Sequence, residues 1–237
     1  MATYIGIKGI EIQTIAGDPA NPIIGQVWYN TTANTLKGYG AQGTGAWATG
    51  GALNTARSSI MPAGTQTAAI GAGGDYGIPA ASPTWAVETE TYDGSTWTEV
   101  GDLNTARHAG AGGGSTTSFI YAAGTPGGTN SESYDGTSWT ATSAINTSRE
   151  DLGGAATSNT SALVFGGYAG SLPGTGATES WDGSSWTEVA DLATGTYHVD
   201  GTGTSILALR IGGFNPGAAT STEEWSIPDA TKTFTSS

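Results

Sequence analysis

Along most of this chain, apolar and polar residues alternate in short runs that Gly, Ser, Asn, Asp or Pro interrupt. Between Arg107 and Leu152 the succession is clear. HAGAGGG is short and small, SFIYAAG is apolar and β-rich, NSESYDG alternates, and TSWTATSAI alternates again. Period-two patterning bounded by turn residues reads as strand. No stretch sustains a 3.6-residue apolar period, so the pattern predicts short antiparallel strands and no helix of consequence.

The pattern also repeats. YDGSTWTEVGDLNTAR (92–107) returns as YDGTSWTATSAINTSR (134–149) and as WDGSSWTEVADLATGT from Trp181. The tryptophans after the turn, Trp47, Trp97, Trp139 and Trp186, are spaced 50, 42 and 47 residues apart. Periods of this size belong to propellers and solenoids, whose small sheets must stack to bury their faces. Counting first strands gives four units, starting near residues 57, 107, 149 and 197, preceded by a half-unit over 35–53. Asp-Gly favours a tight hairpin between third and fourth strands because Gly accepts positive φ. The following Trp is expected to fill the space between neighbouring sheets. Leu53, Leu103, Ile145 and Leu192 alternate onto a packed face, and N-T-A-R crosses to the next inner strand, where HAGAGGG supplies side chains small enough to fit. Arg57, Arg107 and Arg149 recur with the unit, which suits a repeated structural hydrogen bond.

A small-residue pair after the second strand (Gly73-Gly74, Ala123-Gly124, Gly166-Gly167, Gly212-Gly213), then an aromatic and W-x5-[LI]-x3-R, resembles the kelch repeat over residues 45–237. RHAG at Arg107–Gly110 is similar to the start of a kelch first strand. The chain departs from that pattern in the short gap from Tyr92 to Trp97, in Trp181 replacing Tyr, and in the last unit. There Tyr197 stands where the Arg is expected and the second Trp is missing. The resemblance implies an all-β, four-bladed kelch-like β-propeller (35–237) with a short N-terminal strand and hairpin extension (1–34). Ring closure is expected either from the Trp47 strand or from TKTFTSS at 231–237, because a closed ring removes exposed edges. Kelch propellers include enzymes, adaptors and lectin-like modules, so the fold leaves the task open.

Residues 1–34 stand outside the repeat. IGIKGIEIQ reads as a strand with one apolar face, and QVWYN, a turn through Thr31–Asn34 and TLKGY read as a hairpin. That apolar face is expected to pack under the propeller or to dock on another subunit. GQVWYNTTANTLKGY and the closing TEEWSIPDATKTFT resemble phage tail-fibre and other virion proteins, marine ones in particular. The resemblance implies a virion protein made in the host cytoplasm and held to other virion proteins through residues 1–34. It would be a tail fibre or surface appendage that binds a host surface glycan, and a homo-oligomer fits that role. The alternatives are a purely structural or decoration protein, or a bacterial kelch-like adaptor or carbohydrate-active protein.

Composition narrows the chemistry. Only 11% of residues are charged and Gly is 39 of 237, but regularly spaced aromatics argue against disorder. The formal charge of −13, with seven scattered cations, disfavours nucleic-acid and anionic-membrane partners. There is no cysteine, and the N-terminus lacks the basic lead and apolar run of a signal peptide or membrane span. His108 and His198 have no carboxylate at ligand spacing, so no metal and no cofactor are expected. The pairs Glu88/Glu90 and Glu223/Glu224 have no partner that spacing can supply. The reading is therefore non-enzymatic. Variation concentrates in the loops between second and third strands, and loops on a rigid scaffold are where recognition tends to lie. Asp75, Tyr76, Trp85, Tyr168, Phe214 and Asn215 are the candidate ligand residues, rings for the apolar face of a sugar and polar groups for its hydroxyls.

Overall fold

The computed structural model describes residues 12–40, 45–77, 84–126 and 128–228, in two compact units, Met1–Thr49 and Gly50–Ser237. Every regular element among them is a strand, eighteen in five sheets.

In the first unit, β1 (Gln13–Ile15) runs parallel to β2 (Val27–Asn30), which pairs antiparallel with β3 (Thr35–Gly38). The hairpin turn is set by Asn30, whose side-chain oxygen accepts from the Thr32 and Ala33 amides at 3.0 and 2.9 Å. Asp18 gathers the unit, accepting from Lys37 Nζ at 2.8 Å, Asn30 Nδ2 at 2.7 Å and Trp28 Nε1 at 3.1 Å. The Lys37 ammonium and then the Asn30 amide hold its carboxyl below the usual range. β3 pairs with β2, so residues 35–38 lie in the compact unit that runs to Thr49. The alternating run up to residue 11 lies outside the described residues.

In the second unit the first sheet is β4 (Met61–Thr65), β5 (Ala68–Ala72), β6 (Thr89–Tyr92) and β7 (Trp97–Glu99). The second is β8 (Ala111–Ser115), β9 (Ser118–Ala122), β10 (Ser131–Tyr134) and β11 (Trp139–Ala141). The third is β12 (Gly153–Ser158), β13 (Ser161–Phe165), β14 (Thr178–Trp181) and β15 (Trp186–Glu188). The fourth is β16 (Asp200–Gly203), β17 (Leu207–Ile211) and β18 (Thr222–Ser226). Each is an antiparallel meander in chain order.

The expected closed ring of four blades is corrected. The described residues form five sheets, four of them in this unit, and the last of those has three strands. Inner strands pack in series, β4 on β8, β8 on β12 and β12 on β16, and no contact of like extent returns from β16 to β4. Trp47, expected on a closing strand, lies in no strand and its ring is fully exposed. The physical reason is local: GTGAWATGG supplies flexible glycines and no β-branched pair to hold an edge. TKTFTSS lies outside the described residues.

The second and third sheets use one face toward the sheet before and the other toward the sheet after. Ile70 and Ala72 of the first sheet pack against Phe119, Tyr121, Tyr134 and Trp139 of the second. Ile120 and Ala122 meet Ala162, Val164, Trp181 and Trp186, and Leu163 and Phe165 meet Ala208 and Trp225. Trp139 reaches across to donate from Nε1 to Thr89 Oγ1 at 2.9 Å, so the recurring Trp does sit between sheets. Inner strands come close enough that a Cβ on Gly113 would lie 2.8 Å from the Ala156 carbonyl oxygen.

The Asp-Gly turns recur with their glycines at φ 98°, 99° and 95° (Gly94, Gly136, Gly183). Asp93 Oδ1 accepts from the amides of Ser95 and Thr96, both at 2.8 Å, and Asp135 and Asp182 do the same in their turns. These amides hold all three carboxyls low, Asp182 at about 2.

Two outcomes are expected. Trp139→Ala should cost about 3–5 kcal/mol of unfolding free energy in urea titration, the range for a buried Trp. Trp97→Ala should cost less, because Trp97 is only half-buried. The turn aspartates titrate below the ordinary unfolded value of about 3.9. Their stabilisation is therefore present at neutral pH and is lost as pH falls from about 4 toward 2. An Asp93→Asn/Asp135→Asn/Asp182→Asn variant should show a shallower fall in melting temperature across that window.

Candidate binding face

Each crossover joint returns to rivet its own repeat. The backbone amides of Asn54, Asn104 and Asn146 donate to Glu90, Glu132 and Glu179 at 2.7 Å each. The side-chain amides of the same residues reach the same carboxylates and the carbonyls of Trp97, Trp139 and Trp186. The arginine three residues on completes the clamp. Arg57 pairs with Glu90 at 2.9 Å and Arg149 with Glu179 at 2.8 Å, and Arg107 pairs closely with Glu132. All three guanidiniums are buried. Burial pulls Arg107 and Arg149 below the ordinary guanidinium value, and the facing glutamates oppose that pull.

The fourth repeat builds the same clamp from a different strand. Backbone bridges Ser58↔Asp75, His108↔Thr125, Glu150↔Tyr168 and Tyr197↔Phe214 align the repeats. They place Thr196, not Tyr197, at the missing arginine. Arg210 on β17 fills the gap. Its Nη1 donates to the Ser221 carbonyl at 2.8 Å, as Arg57 does to Glu88 and Arg107 to Asn130, both at 2.7 Å. Its Nη2 donates to Thr196 Oγ1 at 3.2 Å and lies 3.6 Å from Glu223. The Ala193 amide caps Glu223 at 2.6 Å, where the asparagines cap the others.

The joints and the variable loops share one end of the sheets. Gly74, Gly124 and Gly167 donate backbone N–H to the carbonyls of Arg107, Arg149 and Thr196 in the next repeat, at 2.9, 3.1 and 2.7 Å. Only glycine fits: Gly124 has φ +87°, and a Cβ there would lie 2.3 Å from the His108 carbonyl oxygen.

At this end a groove of about 390 Å³ opens between the second- and third-repeat loops, lined by Thr125, Pro126, Ser148, Glu150, Tyr168 and the Gly128 and Gly170 backbones among others. Tyr168 is backed by Tyr197, ring centroids 5.8 Å apart, and Tyr197 by Phe214 at 5.4 Å. No protein-family model matches this chain, and no curated protein matches its sequence.

The structure divides the sequence-selected residues into two groups. Tyr168 lines the groove; Phe214 supports it through Tyr197, and Asn215 turns its own loop by donating to the Gly217 carbonyl. Asp75, Tyr76 and Trp85 lie in the first repeat, away from the groove. Asp75 caps the Gly77 amide at 2.8 Å, and Tyr76 donates its hydroxyl to Glu88. Burial and then that carboxylate push Tyr76 up to about 12. Trp85 packs beside His108, centroids 6.1 Å apart, and its buried indole N–H has no partner among the described residues. Residues 78–83 lie outside the described residues.

Ser148 and Glu150 of the groove, and Tyr197 behind it, were not singled out from sequence, because they belong to the joint rather than to the variable loop. His198 is exposed, with Nδ1 3.3 Å from Asp151. Among the described residues no three His, Cys, Asp or Glu side chains converge on a point. Glu88 and Glu90 both flank Arg57.

Removing one clamp partner strands a buried charge, so Arg149→Ala should cost about 3–5 kcal/mol in denaturant titration. Arg210→Ala should be damaging too, and adding Thr196→Arg should restore a substantial part of the loss, since both positions serve one guanidinium site.

Proposed function

We propose that this chain is a non-enzymatic binding protein that presents its loop end to a polyhydroxylated ligand, a surface glycan in particular. The groove between the second and third repeats carries the reading. It pairs one aromatic ring, Tyr168, with hydroxyl and carboxylate groups from Ser148 and Glu150, over a backbone of glycines held rigid by the clamps below. A ring covering the apolar face of a sugar, with polar groups for its hydroxyls, is the usual division of labour in a small-ligand cleft.

We further propose the setting that both ends of the sequence resemble, a phage virion, with a tail fibre or surface appendage as the part and kelch-like, propeller-type blades as its repeats. The N-terminal unit supports an anchoring role. Ile23 and Ile24 are 72% and 77% exposed and rim an open cavity of about 640 Å³ with Val27 and Gln13. Exposed apolar residues gathered at a cavity mark interaction surfaces. A purely structural, decorating role is the second reading, favoured by the clamps, which spend the repeated polar residues on the scaffold itself.

Titration with a panel of bacterial surface polysaccharide fragments, followed by calorimetry or by amide NMR shifts, tests the reading. Shifts should gather at residues 125–128, 148–150 and 168–170. Tyr168→Ala should weaken binding about tenfold, the ~1.4 kcal/mol that one aromatic platform supplies, and Glu150→Gln should weaken it less. No binding across the panel, with no competition against phage adsorption, would leave the structural role.

A further inference from the structure

Among the described residues of this unit, the first and fourth sheets each have one face that no other sheet of the unit covers, and these faces match the two halves of an interface that the chain builds three times internally. Toward the following sheet, the first three sheets present Ile70 and Ala72, Ile120 and Ala122, Leu163 and Phe165, all at most 2% exposed. In the fourth sheet the same strand positions, counted back from the small-residue pair, are Leu209 and Ile211. They remain apolar although no sheet of this unit covers them among the described residues. Ile211 is 42% exposed, and beside it Leu207 is 60% exposed. A terminal repeat that ends an array carries a polar outer face; here Leu207, Leu209 and Ile211 stay aliphatic beside Asp200 and Glu224. At the other end, the first sheet holds Tyr92 and Trp97, both half-buried, at the positions of Tyr134 and Trp139 and of Trp181 and Trp186, which each cover the sheet before.

The backbone repeats the same message. Each internal joint is closed by a glycine N–H donating to the carbonyl of the residue at the arginine position of the next repeat. The Gly213 N–H and the Arg57 carbonyl are the two unmade halves of a fourth such bond, neither with a partner among the described residues. Leu103 and Leu192 reach within 3.2 and 3.4 Å of where a Cβ would stand on Gly73 and Gly166, whereas at Gly212 only the Ala219 carbonyl oxygen comes near, at 3.6 Å. That space has the position of a leucine from a following repeat, and Leu53 is the residue of that type which precedes the first sheet.

We propose that a second copy of this chain docks head to tail, its first sheet on the fourth sheet of its neighbour, with Leu53 seated on Gly212 and the Arg57 carbonyl accepting from Gly213. The interface is heterologous, so it closes into a ring or extends as a filament according to the rotation between copies. Asp200, opposite Ile211, and Glu224, opposite Leu209, share this face, and each chain carries a formal charge of −13. Association therefore strengthens as salt screens that repulsion.

The test is light scattering coupled to size exclusion on the full chain, over a wide concentration range at low and moderate salt. Two variants, checked by circular dichroism and melting for native folding, separate the faces: Leu207→Glu/Ile211→Glu blocks the tail and Leu53→Arg/Ala69→Arg blocks the head. Each alone should be monomeric where the parent chain associates, and an equimolar mixture should give a single one-to-one dimer through the remaining good head and good tail. A parent chain that stays monomeric at every concentration and salt overturns the proposal. So does assembly that survives either variant, or a mixture that forms no dimer.

Discussion

A sheet of three or four strands, each only a few residues long, has two broad faces and too little material to cover either. In the repeat unit that constraint is met by stacking: each sheet gives aliphatic residues to the sheet after it and aromatic residues to the sheet before. Large flat rings suit the task because one tryptophan closes the gap that several small side chains would leave. The inner strands can then be nearly bare, and Gly113 and Gly154 let backbones approach where a methyl group would already crowd them. The N-terminal unit solves the same problem differently. Among its described residues, one carboxylate, Asp18, ties the segment after β1 to Trp28 and Asn30 of β2 and to Lys37 of β3.

Stacking fixes spacing but does little for direction, and here the buried arginine–glutamate–asparagine clamp contributes. An arginine buried without its carboxylate would be strongly unfavourable, so the joint has one low-energy path over the end of its sheet. The loops between second and third strands start from that fixed end, which is why a groove persists beside Tyr168 although its walls are loops. The fourth repeat shows that the requirement is a charge at a place: with threonine at 196, the guanidinium arrives from Arg210 on another strand and makes the same carbonyl contact.

Strands, turns and repeat boundaries were legible because they are local. Alternation marks a pleated strand, Asp-Gly marks a turn whose aspartate caps two amides, and Trp marks an intersheet gap. Closure was not legible. It depends on whether the two end faces meet, which no residue declares, and the segment around Trp47 carries a repeat-like tryptophan on a glycine-rich stretch that forms no strand. The site was half legible. Tyr168 could be found as an aromatic on a variable loop, but Glu150 and Ser148 read as parts of a structural joint, and only the folded path shows that the joint also lines the groove. The relocation from Thr196 to Arg210 defeated alignment by letters, since the two positions are fourteen residues apart and meet only across the sheet.

The clamps are self-contained: Asn104, Arg107, Glu132 and Trp139 all belong to one repeat, as do Asn146, Arg149, Glu179 and Trp186. A cut just ahead of the asparagine thus separates no buried ion from its counter-ion. Gene duplication or loss at that boundary would add or remove a whole sheet while leaving every remaining clamp arginine with its glutamate, so a lineage can lengthen or shorten such an array in single steps.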